Sequence, residues 1–300
     1  MNEKNIFCYL MVAPALIVTL LLGVYPTLKN VWISFHSYDL LQAAENRGQD
    51  WVGLENYRAI MADERFAQTV MQTIVFTVVA IAIVMTISLF LAQVINIKFR
   101  GRAILRTMVF TPWFVPPVVA SAIWVWLLNA NVSPINALLL DAGVIERKIR
   151  FLTDTDTWGP FSVPMLSIVA VRVWNGIPFV VIFLLAGLQS IPKSQYEAAE
   201  IDGAGIWAKF WHVTIPMLGP VLLVLLALLF MGGFGHFEMN YVMTGGGPRN
   251  LTNVLAVWTY QEGFQFLRFD KAAAAGGVIL GMTSIVALFY MWAQSKGNKR

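Results

Sequence analysis

The chain has 300 residues, 58% of them hydrophobic and only 13% charged, with a mean hydropathy of +0.66. Soluble domains carry about a quarter charged residues, so this composition excludes an ordinary globular domain and indicates a polytopic membrane protein. The formal charge of +4 is concentrated beside apolar runs; it is explained by a bilayer, and no nucleic-acid partner is expected.

A helix needs about 20 apolar residues to cross the hydrocarbon layer. Six runs qualify: 6–28, 70–95, 107–128, 163–188, 221–243 and 272–292. The first follows Lys4 as a signal peptide would, but its apolar run is long and has no Ala-x-Ala-like cleavage site, so it reads as a retained span. Cys8 is the single cysteine, which rules out an internal disulfide and cannot by itself build a metal site. The apolar runs recur from end to end, so one domain over 1–300 is expected, with its core at about 66–293.

Charge orients the runs. The loop 96–106 (NIKFRGRAILR) carries Lys98, Arg100, Arg102 and Arg106 and no acid, and the tail adds Lys296, Lys299 and Arg300. The longer segments 36–66, 129–162 and 244–271 hold most of the acids, Asp39 and Glu45 among them. Basic density in short loops marks the cytoplasmic side, so both termini and the loop 189–216 are expected inside. Outside, residues 51–57 (WVGLENY) suit a short interfacial helix or a contact surface, while 154–160 and 244–248 read as glycine and proline turns.

Several spans are expected to be interrupted. Pro112, Pro116 and Pro117 fall in the third, Gly176 and Pro178 in the fourth, and Gly232, Gly233 and Gly235 in the fifth. Broken backbone at membrane depth persists only where protein or a water-filled cavity satisfies it, so breaks in neighbouring helices point to a pathway; ordinary packing kinks are the plainer alternative. On the fourth run Arg172, Asn175 and Phe179 share one helical face. The fifth offers His236, Glu238 and Asn240 beyond its glycines. An arginine at the centre of a lone span costs about 2.5–3.5 kcal/mol on insertion scales, so such groups should face the bundle interior. A ring to stack on, with amide, carboxylate and guanidinium groups beside it, suits a hydrated polyol or sugar. Against this, Arg172 and Glu238 could snorkel to the outer interface, and His236 could be a packing residue.

Enzyme signatures are missing. There is no G-x-x-x-x-G-K-[ST] phosphate loop, no G-x-S-x-G elbow and no H-E-x-x-H pair, and His36, His212 and His236 are far apart. No catalysis, metal or bound cofactor is expected of this chain. Nucleotide energy, if used, must enter through another subunit.

The polar stretch 194–220, SQYEAAEIDGAGIWAKFWHVTIPMLGP, lies between the fourth and fifth runs. Ser194 and Glu197 have capping-box spacing, and Gly203 after Asp202 suits a left-handed helix end that a side chain would obstruct. A second amphipathic piece, 206–213, leads to Pro216. Helix, glycine turn and helix in water beside a membrane form a docking surface for a soluble partner.

Here the residues reach a known family. Glu197-Ala198-Ala199, then Asp202-Gly203-Ala204, then Ile215-Pro216 and Pro220 resemble the EAA signature of ABC-importer permeases. Residues 51–57, 99–129, 177–192 and the Thr-Gly-Gly-Gly-Pro within 243–248 are similar to sugar permeases of the maltose-importer type, so the resemblance covers about 13–292. It implies an all-α polytopic fold of six transmembrane helices in the type I importer arrangement, in a bacterial inner membrane. A cytoplasmic coupling helix would lie between helices four and five, in the loop 189–220. The implied partners are a second, related permease, two ATPase subunits that hold ATP and magnesium, and an extracytoplasmic solute-binding protein.

The coupling residues implied are Glu197, Ala198, Ala199, Asp202, Gly203, Ala204, Ile215 and Pro216. In such permeases the fourth and fifth core helices grip substrate, which here gives Asn175, Gly176, Phe179, Gly232, Gly233, His236 and Glu238, beside Arg172 from the polar reading above. Gly232 and Gly233 replace larger residues of the family, which implies a wider cavity or a grip passed to the partner. The expected cargo is a sugar or sugar-like solute. An anionic polyol such as glycerol phosphate or a sugar acid, or a proton-coupled carrier using Glu238 and His236, are the alternatives.

Overall fold

The computed structural model of the chain describes residues 3–38 and 50–297. Asp39, Glu45, Lys299 and Arg300, used above to orient the chain, lie outside the described residues. Helix dominates, as the composition requires. The turn expected at 154–160 is a small hairpin, in which Thr157–Trp158 pairs antiparallel with Phe161–Ser162 across Gly159 at φ +65°.

Among the described residues five helices are long and apolar enough to span: Met11–Ser34, Glu64–Asn96, Val163–Ser190, Ile206–Phe234 and Phe269–Lys296. The second, with 33 residues, is about 50 Å long and outruns a hydrocarbon layer of about 30 Å. The remaining expected span is a bent pair, Arg102–Phe114 and Pro117–Leu127, which meet at 102°. Its cause is local. A residue before proline is pushed out of the helical region, and here Val115 (ψ 115°) and Pro116 (ψ 140°) precede prolines in succession and are both extended.

The fourth span departs from expectation, because Gly176 and Pro178 do not interrupt it: Val163–Ser190 is one helix. Ser162 fixes its start by accepting the Met165 N–H at 3.2 Å, with Pro164 in the first turn where its missing N–H costs nothing. Past Pro178 the helix is held by packing, with Val180, Val181 and Leu184 fully buried.

The fifth span also differs. It begins at Ile206, so the amphipathic piece at 206–213 is the first two turns of the spanning helix and not a separate one. It ends at Phe234, and Glu238–Thr244 is a distinct short helix, so the run 221–243 is broken at its glycines as expected. Two of the spanning helices share a device. Wide π turns at Leu20–Val24 and Phe210–Thr214 each end two residues before a proline, Pro26 and Pro216. A proline ring clashes with the carbonyl four residues back, and the extra residue in the turn makes room for it within a continuing helix.

The chain divides into two compact units, residues 1–67 with 258–281 and residues 68–257 with 282–300. In the first, the motif at 51–57 acts as a clasp. Asn56 Nδ2 donates to the carbonyls of Ser34 (3.0 Å) and His36 (2.9 Å), and the Tyr57 hydroxyl donates to Ser34 Oγ at 2.9 Å. Trp51 stacks on Phe35 at 5.4 Å. The helix Glu55–Met61 is thereby fastened to the end of the first span, and Asn30 donates to the Ala273 carbonyl at 3.3 Å. In the second unit Phe76, Ile168, Val181, Leu184, Leu218, Leu225 and Met239 form the buried core.

Candidate functional site

The stretch between the fourth and fifth spans is a built element. Its helix runs Lys193–Ile201 with Pro192 at the cap position and no side-chain cap. The capping box expected of Ser194 and Glu197 does not form. Pro192, fixed in an extended conformation at ψ 135°, starts the helix before Ser194 can act as its cap, and Glu197 stands exposed with Ala198 and Asp202. The other end follows expectation. Gly203 has φ +75°, its N–H donates to Glu200 O at 3.0 Å, and the Ala204 N–H donates to Ala199 O at 2.8 Å. These two bonds are the Schellman pair. A Cβ on Gly203 would meet nothing within 4 Å, so glycine is required for its backbone angle; the expectation that a side chain would be obstructed is corrected.

The turn is braced on the next helix. The Tyr196 hydroxyl and Thr214 Oγ1 are 3.0 Å apart, and Lys209 Nζ donates to Glu200 Oε1 at 2.6 Å. Ile215 and Pro216 follow Thr214, so they lie at the root of the loop and not at its tip. Around the tip Ile201, Ile206, Trp207 and Trp211 are exposed. Ile206, Trp207 and Trp211 belong to the amphipathic piece expected at 206–213, though none was singled out there as a site residue, and neither was Ile201.

A cavity of about 570 Å³ lies among the third, fourth and fifth spans. The bend from Trp113 to Pro117 forms one wall, Arg172, Asn175, Gly176 and Phe179 the second, and Leu228 and Leu229 the third. Four of the residues expected to grip substrate are therefore brought together. Pro116 has no N–H to offer the Pro112 carbonyl four residues back; that oxygen accepts from the Val115 N–H at 3.3 Å and from Asn175 Nδ2 at 3.4 Å. Trp113 meets Phe179 edge to face at 6.3 Å, and Phe179 packs on Phe183 at 4.8 Å. Trp113 and Phe114 were not singled out from sequence, although an aromatic pair ahead of two prolines was visible.

Gly232, His236 and Glu238 do not line this cavity. Gly232 faces open space, whereas a Cβ on Gly233 would fall 2.5 Å from Thr77 Cγ2. Gly233 is thus a close-packing glycine bordering a void of about 20 Å³ shared with Arg172 and Gly176, and it does not widen the cavity as expected. His236 is buried, its ring edge-on to Phe76 at 5.9 Å and its Nδ1 3.9 Å from Glu238 Oε2. Glu238 itself is 54% exposed.

A second cavity, about 510 Å³, is lined by Asn129, Asn131, Thr153, Thr244, Gly247 and Pro248, among others. Its glycine turn has Gly245 at φ +61° and Gly246 at +91°, and Thr252 Oγ1 pins it by donating to Gly247 O at 2.7 Å.

Spanning helices with one sharp bend, a cavity between three of them and a braced polar turn define a membrane permease that moves a solute. More narrowly, the chain belongs to the family of binding-protein-dependent transport system inner membrane components, whose profile matches residues 84–295; it is a multi-pass permease subunit of an ABC importer. The sn-glycerol-3-phosphate transport system permease protein UgpA of Agrobacterium fabrum is 31% identical over 289 residues, covering 95% of this chain and 92% of that one. The trehalose/maltose transport system permease protein MalF of Thermococcus litoralis is 34% identical over 252 residues, 84% of this chain and 81% of that one. A bacterial ABC transporter involved in the import of the acidic polysaccharide alginate shares the fold, with a TM-score of 0.79 at 23% identity over 96% of each chain.

Proposed function

We propose that this chain carries a sugar or sugar-like solute across the bacterial inner membrane, driven by ATP hydrolysed with magnesium on separate subunits. The cavity of about 570 Å³ carries the reading: it fits the range of small-molecule sites. Trp113, Phe114 and Phe179 offer ring faces, while Arg172 and Asn175 offer hydrogen bonds. The relative named for trehalose and maltose transport supports a sugar.

The partners in this reading are a second, related permease completing the pathway, two ATPase subunits, and an extracytoplasmic binding protein that delivers the solute; membership of the family supports them. Both termini and the loop 189–220 lie in the cytoplasm. There Glu197, Ala198, Ala199, Asp202, Gly203 and Ala204 dock on the ATPase, with Ile215 and Pro216 at the root. The exposed Ile201, Ile206 and Trp207 supply the apolar area such a docking surface needs.

The test is reconstitution. Co-expressed with its neighbouring permease and ATPase subunits, the chain should yield proteoliposomes that accumulate radiolabelled sugar only with ATP inside and loaded binding protein outside. Uptake driven by a proton gradient without ATPase subunits would overturn the reading. So would a failure to transport any member of a broad saccharide panel.

A further inference from the structure

We propose that Arg172 makes this cavity selective for a sugar or polyol that carries an anionic group, a carboxylate or a phosphate, with the guanidinium gripping the anion. The inference rests on the reading of the cavity as the solute path and narrows its cargo.

The first argument is a hydrogen-bond inventory. Among the lining side chains only Arg172 and Asn175 are polar apart from the indole of Trp113, and none is acidic. A guanidinium has five N–H donors and no acceptor. Asn175 already directs its amide nitrogen to the Pro112 carbonyl at 3.4 Å, which leaves its Oδ1 toward a ligand. A neutral sugar is bound by donors and acceptors in alternation, because each hydroxyl is both. A wall dominated by one donor fork is complementary instead to an acceptor-rich group, and the fork matches carboxylate or phosphate oxygens two at a time.

The second argument concerns charge. Among the described residues no carboxylate lies within 4.0 Å of the Arg172 guanidinium. Glu238 stands 3.9 Å from His236 Nδ1 and keeps over half its side chain exposed. A charged group inside a membrane protein is ordinarily matched by a close counter-ion. Here the space beside Arg172 is the cavity of about 570 Å³ itself, so the counter-ion that fits is one that arrives with the solute. The aromatic wall of Trp113, Phe114 and Phe179 then stacks on the apolar face of its ring or chain.

The assembled complex, with partner permease and ATPase subunits and solubilised in detergent, tests this by calorimetric titration with matched pairs: galacturonate against galactose, and glycerol 3-phosphate against glycerol. The expected result is an acid bound at least about 10-fold more tightly than its neutral twin, as a charge-assisted hydrogen bond gives. Arg172→Gln should weaken the acid by about 10- to 100-fold and close the gap to the neutral twin, with Arg172→Lys intermediate. Equal binding of acid and neutral twin overturns the inference while leaving a sugar path in place. So does unchanged acid binding by an Arg172→Gln complex that elutes intact on size exclusion. Should that variant fail to assemble, the wild-type comparison decides alone. Binding of neither twin in any pair, with no saccharide transported, overturns the sugar path and the inference with it.

Discussion

Replacing Gly203 by valine should break the link between ATP hydrolysis and transport while leaving the chain inserted. The magnitude follows from the turn. An L-residue held in the left-handed region costs about 1–2 kcal/mol, and valine, branched at Cβ, sits at the upper end. Nothing lies within 4 Å of the new Cβ, so no steric clash adds to this. If the chain escapes the strain by leaving φ +75°, it forfeits the Gly203 N–H to Glu200 bond (3.0 Å) and the Ala204 N–H to Ala199 bond (2.8 Å). Each is worth about 0.5–1.5 kcal/mol. A strain near 2 kcal/mol lowers the population of the native turn about 30-fold relative to open forms. Solute transported per ATP hydrolysed, measured in proteoliposomes with loaded binding protein, should fall sharply for Gly203→Val. Gly203→Asn should keep most of it, because asparagine enters the left-handed region readily. Normal coupling in the valine variant at normal expression would show that the turn geometry does not matter.

Neighbouring glycines should respond oppositely. Gly233→Val drives a side chain into Thr77 and should destabilise by about 1–3 kcal/mol, read as a lower midpoint of thermal unfolding in detergent. Gly232→Ala meets open space and should change that midpoint little or raise it, since alanine lowers the entropy of the unfolded chain by about 0.4–1 kcal/mol. Asn175→Ala removes one of two donors to Pro112 O, a bond worth about 1 kcal/mol; uptake should weaken about fivefold in apparent affinity while the complex stays intact. Lys209→Ala breaks a 2.6 Å ion pair whose carboxylate partner is 62% exposed. Because exposed pairs contribute about 0.2–1 kcal/mol, coupling should remain within about fivefold of wild type. Tyr196→Phe, which frees the more protected Thr214 contact, should cost more coupling than Lys209→Ala in the same assay.

Spans were legible in the sequence because burial in lipid demands long apolar runs, and five of the six runs appear as helices with shifted ends. What escaped was cooperative. Pro178 reads as a break, yet Val180, Val181 and Leu184 are buried deeply enough to carry the helix through it. Conversely the run 107–128 reads as one span, but two consecutive residues before prolines are forced extended and turn the chain by 102°. Ser194 has the spacing of a capping box, but the spacing cannot show that Pro192 starts the helix earlier. For the candidate site, the face shared by Arg172, Asn175 and Phe179 followed from helical period alone. Trp113 and Phe114 oppose that face only because of the bend, and Gly233 could be told from Gly232 only once Thr77 was in place.

The fifth span is one continuous helix between the polar turn and the cavity. From Ile206 the helix continues through its π turn and Pro216 to Phe234, and on the way it presents Leu228 and Leu229 to the cavity. The distance from Ile206 to Leu228 is about 33 Å at 1.5 Å per residue. Pivoting where the core grips Leu218, about 15 Å short of Leu228, a rod tilted by about 5° moves its cavity end by about 1.3 Å. Such a lever would need no relay of intermediate contacts, and its fulcrum would lie where the core grips Leu218, fully buried. Moving that grip one helical turn would change the stroke at the cavity without altering either end.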